Sequence, residues 1–163
     1  MYDEYVVVDG RGTLNLFEIY IKTTPERLWQ AITDPVERAR YSFGVRIESD
    51  WQSGGGYRSG VPGVIDIAEG ENIEVDPPRR LVQSFRALWA PEVSEAGESR
   101  VTWEIEPVGA SCRLRVTHDG LAPDANSQLF GGWPMILSGL KTLLETGEDL
   151  DTPGSLRYSG ASA

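Results

Sequence analysis

From Phe17 to His118 the sequence keeps returning to a period of two, and that alternation constrains the fold more than any other feature. Phe17, Ile19 and Ile21 alternate with Glu18, Tyr20 and Lys22, and Val45 and Ile47 with Arg46 and Glu48. Ile65 and Ile67 flank Asp66, and Ile73 and Val75 flank Glu74. Val101, Trp103 and Ile105 alternate with Thr102, Glu104 and Glu106; Cys112, Leu114, Val116 and His118 share a face opposite Arg113, Arg115 and Thr117. Each segment has the pattern of a strand with one buried face. Leu81 to Trp89 reads as a longer strand with Leu81, Phe85, Ala87 and Trp89 on one side. Turn signals lie between the segments: the glycine cluster before Tyr57 and Ser59, the stop Asp76-Pro77-Pro78 and the acidic loop Pro91–Glu98. Frequent turns between one-sided strands predict an antiparallel meander.

Helical signals occur in two places only. Thr23-Thr24-Pro25-Glu26 is a helix start, with threonine as cap, proline in the first turn and Glu26 able to complete a capping box if Thr23 is the cap. Leu28, Ala31 and Ile32 share a face with Trp29 at its flank, Asp34-Pro35 ends the helix, and a second short helix follows through Val36–Arg40. The longest helical stretch runs from about Asn126 to Thr146, with Trp133, Ile136, Leu137, Leu140 and Leu144 as its apolar stripe and Gly147 as its cap. Pro134 predicts a kink or a new start near Gly131-Gly132. The order of strand, short helices, about six strands and one long helix is α+β. A single domain is expected over 14–150, with 1–13 a lead-in strand or loop and 151–163 a flexible tail.

Charge and composition exclude several functions. Fifteen Lys and Arg against 25 Asp and Glu give a net charge of −10. Sequence-independent binding to nucleic acid needs a basic surface, and anionic membranes repel an acidic one. No run approaches the ~20 apolar residues of a membrane helix, and the acidic start Met1-Tyr2-Asp3-Glu4-Tyr5 is unlike a secretory signal. A cytoplasmic protein is the expectation. One Cys allows no internal disulfide, and one Cys with one His argues against a clustered metal site. No cofactor is expected.

His118, the single imidazole, falls on an inward strand face with Leu114 and Val116. Its functional reading is a polar anchor or an acid/base group inside an apolar interior. Its plain reading is a satisfied core histidine. Asp119 points the other way and cannot assist it. The aromatic residues Trp29, Tyr57, Phe85, Trp89, Trp103 and Trp133 mostly fall on inward faces of different elements. They suit either core packing or the wall of a cavity for an apolar or aromatic ligand. Ile65, Ile67, Ile136, Leu137 and Leu140 complete that candidate lining. Asp66, Glu74, Glu104 and Glu106 alternate outward, so no inward carboxylate pair is visible, and Arg58, Arg86, Arg113 and Arg115 balance them. Ser53-Gly54-Gly55-Gly56 lacks the Lys-Ser/Thr ending of a phosphate loop and joins two strands, so it is a hairpin turn. Cys112 lies beneath apolar neighbours, where a thiol is inert, and no Gly-x-Ser-x-Gly elbow occurs.

Six segments in order carry a resemblance to a known family. They are Ile19–Pro35, Gly54–Arg58, Glu74–Leu81, Ser99–Glu104, Leu114–Gly120, and Gly132–Leu137 with Leu140-Lys141. Together they resemble the bacterial homologues of the activator of the ninety-kilodalton heat-shock protein ATPase, within the START and birch-allergen-like (SRPBCC) helix-grip superfamily. The resemblance covers about Leu14 to Leu150. It implies a curved antiparallel sheet of about seven strands around the C-terminal helix, two short helices after the first strand, and often a cavity between helix and sheet. Relatives of this kind include lipid carriers, plant-hormone binders, polyketide cyclases and co-chaperone domains, so the fold alone assigns no activity. Three readings follow: a protein that binds a small hydrophobic or aromatic molecule without catalysis, a cyclase- or hydrolase-like enzyme using His118 as acid/base, and a module that modulates a chaperone ATPase. Homodimers are common among the relatives, and the sequence does not decide the matter.

Overall fold

The computed structural model describes residues 2–9, 12–95, 97–121 and 132–153. Among these residues eight antiparallel strands form one sheet: β1 (Tyr2–Asp9), β2 (Gly12–Ile21), β3 (Arg46–Ser49), β4 (Gly56–Val61), β5 (Ile65–Asp76), β6 (Arg80–Ala87), β7 (Ser99–Val108) and β8 (Ser111–Leu121). Their order across the sheet is β1-β2-β8-β7-β6-β5-β4-β3. Every neighbour except β2–β8 is consecutive in the chain, the meander that the frequent turns predict. The lead-in is a strand: β1 pairs with β2 from Tyr2↔Ile19 to Asp9↔Gly12 and becomes an eighth member beside the expected seven.

Among the described residues four helices accompany the sheet: α1 (Pro25–Thr33), α2 (Pro35–Tyr41), α3 (Pro91–Ser94) and α4 (Gly132–Thr146). Thr24, not Thr23, caps α1; its hydroxyl accepts from Arg27 N at 3.2 Å, so the third residue past the cap is Arg27 and no capping box forms with Glu26. Asp34 ends α1 and starts α2, its carboxylate accepting from Val36 N at 2.9 Å and Glu37 N at 3.0 Å. The short helix α3 stands in the acidic stretch that the sequence reads as loop. In α4 the chain starts at Gly132, which puts Pro134 within the first turn, where a missing N–H breaks no helical bond. The expected earlier part, 126–131, lies outside the described residues. Gly147 closes α4 at φ 78°, its N–H donating to Leu143 O at 2.8 Å.

The sequence treats 65–67 and 73–75 as separate strands; they are the two ends of one strand, β5, with a register shift near each end. Between the shifts Ala68 and Asn72 are buried, and beyond the second Val75 pairs with Leu81 and packs on the core. Ile73 is the residue left over at that shift and is 44% exposed. A bulge reverses which residues face inward, so one continuous alternation cannot describe the whole strand.

The core lies between α4, α1 and one face of the sheet. Phe17, Ile19 and Ile21 from β2, Val101, Trp103 and Ile105 from β7, and Cys112, Leu114 and Val116 from β8 meet Leu28 and Ile32 of α1 and Trp133, Leu137, Leu140 and Leu143 of α4. Leu143, not Leu144, continues the buried stripe; Leu144 and Ile136 are half-buried at its margin. Outside, Glu18 accepts from Arg115 at 3.0 Å and pairs with Arg113 at 3.3 Å, and Arg80 pairs with Glu74 and Glu104. These exposed pairs contribute little each, about 0–1 kcal/mol.

Gly139 sets the distance between α4 and α2. A Cβ placed there would stand 3.0 Å from Tyr41 Cβ and 3.3 Å from its Cα and carbonyl oxygen. Tyr41 cannot easily yield, since its hydroxyl is bound to Ala31 O at 2.9 Å beneath the surface. Gly139→Val should therefore lower the denaturation midpoint by an amount worth about 1–3 kcal/mol, the usual cost of overpacking. A midpoint unchanged in urea titration would show that the two helices can separate freely.

Candidate functional site

Strand register brings the polar residues of the interior together. Asn15 of β2 and Val101 of β7 both lie opposite His118 of β8. Directly opposite residues on one face stand roughly 4.5–5.5 Å apart at Cβ. The His118 ring is completely buried. Trp133 of α4 donates its indole N–H to Nδ1 at 3.1 Å, which makes Nδ1 the unprotonated nitrogen, because an indole only donates. Nε2 therefore carries the proton and donates to Ser99 Oγ at 2.7 Å. The Ser99 hydroxyl in turn donates to Phe85 O at 3.2 Å. Every polar atom of this chain of bonds is used, and its direction is fixed from helix to sheet.

Burial without a nearby anion holds the imidazole down to about pKa 3 from its ordinary 6.5. Neutral over the physiological range, with both nitrogens committed, His118 is equipped to hold a proton in place and poorly equipped to pass one on. Its ring stands edge to face with Phe85 at 5.0 Å and with Trp133 at 6.1 Å between centroids, and Trp133 meets Trp103 at 5.4 Å. Phe17 closes the group at 6.4 Å from Trp133. Trp103 is 1% exposed, and its indole N–H has no partner among the described residues.

Two residues outside the sequence-based candidates complete this interior. Asn15 is fully buried, and among the described residues neither its amide nitrogen nor its oxygen has a hydrogen-bond partner. Its position is readable from phase: Asn15 falls in step with Phe17, Ile19 and Ile21, a polar residue on an otherwise apolar inward face. Arg38 of α2 lays its guanidinium 5.0 Å over the Trp103 ring and 6.0 Å from that of Tyr41. Nothing in the sequence marks Arg38, since a charge on a short helix is most simply a solvated one.

The other candidates divide. Trp103, His118, Trp133, Leu137 and Leu140 are buried at the centre, with Phe85, Ile136 and Trp29 half-buried against it. Tyr57 is buried farther along the sheet, where its hydroxyl donates to Ser84 O at 2.7 Å, and burial raises its phenol pKa. Ile65 and Ile67 are half-buried at the shifted start of β5, in a different phase from Ala68. Trp89 is half-buried beyond the end of β6 at Ala87, so the strand expected to reach it stops two residues short. These four stand outside the central apolar cluster. A separate polar group, in which Asn72 donates to Ser49 Oγ at 2.8 Å and accepts from Gln83 at 2.9 Å, is satisfied within itself. Cys112 is buried with its thiol against Thr23 O, and burial raises its pKa. Among the described residues no group of three or more His, Cys, Asp and Glu is gathered as a metal site, and no helix is long and apolar enough to cross a membrane.

Comparison with known proteins agrees with this architecture. CalU16 from Micromonospora echinospora superposes with a TM-score of 0.70 at 19% identity, covering 90% of this chain and 88% of that one. Protein MLL2253 from Mesorhizobium loti gives 0.70 at 24% identity, covering 84% and 99%. The Aha1 dimer from Colwellia psychrerythraea gives 0.65 at 20% identity, covering 81% and 96%. At these identities the likeness is one of fold. No curated protein matches in sequence. The profile of the Activator of Hsp90 ATPase homolog 1-like proteins matches residues 22–145, most of the chain from the end of β2 to the last turn of α4. This chain therefore belongs to the Activator of Hsp90 ATPase homolog 1-like family, whose helix-grip fold commonly serves to bind ligands.

Proposed function

We propose that the chain binds a small, largely apolar molecule between α4 and the sheet, beside Asn15, Phe85, Trp103, His118 and Trp133. The observation that carries this reading is Asn15. Among the described residues both polar atoms of this buried amide are unpaired; such atoms cost about 1–3 kcal/mol per group and are seldom kept without a partner, water or ligand to meet them. Around it the side chains are aromatic, as in small-molecule sites where a few polar groups set orientation. His118 supports the site as a rigid strut joining α4 to β7 and β8. That role favours binding over acid/base catalysis. The solution structure of the Colwellia relative is that of a dimer, and a homodimer is the assembly to test here by sedimentation.

The test uses the neutral fluorophore N-phenyl-1-naphthylamine with the wild-type chain and Asn15→Leu. Wild type should enhance its emission saturably and quench tryptophan emission in step. Asn15→Leu should be at least as stable to urea, because it removes two unsatisfied atoms, and should bind the probe with an affinity altered severalfold. Absence of any saturable binding, together with a destabilised Asn15→Leu, would mean that the amide is met by internal water and would overturn the reading.

A further inference from the structure

Arg38 is the one basic side chain described against the inner aromatic group. Its guanidinium covers the face of Trp103, a ring that is 1% exposed, and it stands beside Tyr41, which is 3% exposed. Its one acceptor among the described residues is Ile32 O, at 2.9 Å from Nη1. That bond ties the end of the side chain to the last turn of α1 and leaves the remaining N–H donors of the fork without an acceptor among the described residues. No carboxylate among the described residues lies within ion-pair distance of it. Glu37 pairs through Oε1 with Arg27 at 2.6 Å, its Oε2 buried without a partner among the described residues, while Asp149 pairs with Arg40 at 2.7 Å and Asp34 caps α2. The field of Arg38 also reaches inward, opposing the rise that burial gives the phenols of Tyr41 and Tyr57.

A half-buried guanidinium stacked on an aromatic face, anchored at one nitrogen and lacking a counter-ion among the described residues, has the form of a receptor for a planar anion. A single positive charge compensates a single negative one, and burying the second charge of a phosphate dianion beside it would be costly. At a net charge of −10 the chain as a whole does not draw anions towards it, so the attraction at this point is local to the guanidinium. We infer that Arg38 is the anchor for the carboxylate of an amphipathic organic acid, whose apolar body lies along Trp103 towards Trp133. This assignment rests on the reading that a small molecule occupies the interior. It adds the class of that molecule, a monocarboxylic acid with an aromatic or alkyl body.

The experiment compares two matched pairs, naphthalene-2-carboxylate with naphthalene-2-carboxamide and octanoate with octan-1-ol, by calorimetry on the full chain and on Arg38→Gln. At least one acid should bind wild type tenfold or more tightly than its neutral partner, and Arg38→Gln should bring the acid and its neutral partner to within twofold of each other. In wild type the Arg38 Nε resonance should shift with the acid and stay in place with the amide or alcohol, a readout independent of how well the variant folds. Equal binding within both pairs, or a preference that survives in Arg38→Gln, overturns the anchor and leaves the interior site standing. The anchor falls in the same way if N-phenyl-1-naphthylamine binds and neither acid does. Failure of all five probes overturns the interior site and the anchor together.

Discussion

Gly70→Ala should cost the fold about 3–5 kcal/mol, an effect out of proportion to a single methyl group. A Cβ at Gly70 would overlap the Ser84 carbonyl oxygen and stand 2.8 Å from its carbon and 2.7 Å from Tyr57 Cε1. None of these atoms is free to leave. Ser84 is on β6, the neighbouring strand, and its carbonyl accepts the buried Tyr57 hydroxyl, so the Tyr57 ring passes directly over Gly70. The ladder is already adjusted here, for Glu71 N donates to the Ser84 hydroxyl at 2.8 Å. Relief of the overlap must therefore part β5 from β6 or expel Tyr57 and orphan a buried carbonyl. Gly56→Ala is the control: the nearest atom to its Cβ would be Gly70 O at 3.6 Å, an ordinary contact. Tyr57→Phe removes the hydroxyl alone and should cost about 1–2 kcal/mol. Guanidinium titrations of the three variants at constant slope decide the matter, and a Gly70→Ala variant within about 1 kcal/mol of wild type would refute the packing described.

The same region shows why part of the fold is hidden from sequence. Along β7, and along β2 and β8 where Asn15–Ile21 pairs with Cys112–His118, the alternation is uninterrupted, the register shift of that pair falling between Thr13 and Asn15; there the inward faces follow from residue type alone, His118 included. Along β5 two register shifts intervene, and nothing in the run from Ile65 to Asp76 marks where they fall. Their positions are set by how β4 and β6 pair on either side, which is tertiary information. The consequence is a candidate lining that includes Ile65 and Ile67, which stand apart from the central cluster. The helical stripe fails in a smaller way, since spacings of three and four both satisfy the period and only packing selects Leu143 over Leu144.

The site divides along the same line. Trp103, Trp133 and His118 are legible because large or polar residues at inward phase are conspicuous. Asn15 is equally legible by phase, although its meaning depends on its having no partner among the described residues, which only the folded chain reveals. Arg38 is illegible in principle from local pattern. Its place over Trp103 arises from the bend between α1 and α2 and the approach of both to β7, contacts between residues 65 positions apart in the chain, 103 less 38.

The second large effect concerns pH. Because His118 is the only histidine, any stability change between pH 5 and pH 6.5 beyond that of the carboxylates belongs to one ring. Above pH 6.5 the imidazole is neutral in both the folded and the unfolded chain, and its contribution is fully present. As the pH falls below 6.5 the unfolded chain takes up a proton that the folded chain refuses until about pH 3. Stability should then decline by about 1.4 kcal/mol per pH unit from this source. Between pH 7.5 and pH 5.0 that amounts to about 2 kcal/mol. His118→Leu should lack this component, and at pH 7.5 it should already be weaker by about 2–4 kcal/mol, because Trp133 Nε1 loses its acceptor and Ser99 its donor. Urea denaturation of both proteins at the two pH values isolates the difference with the carboxylate contribution cancelled. Should His118→Leu prove too weak to study, the wild-type ring supplies its own measure. Its nitrogen resonances should report a single tautomer, protonated at Nε2, and stay constant from pH 8 to pH 4.5. A ring that titrates near pH 6 in the folded chain would mean that water reaches it, and the strut joining α4 to the sheet would have to be redrawn as an open, protonatable site.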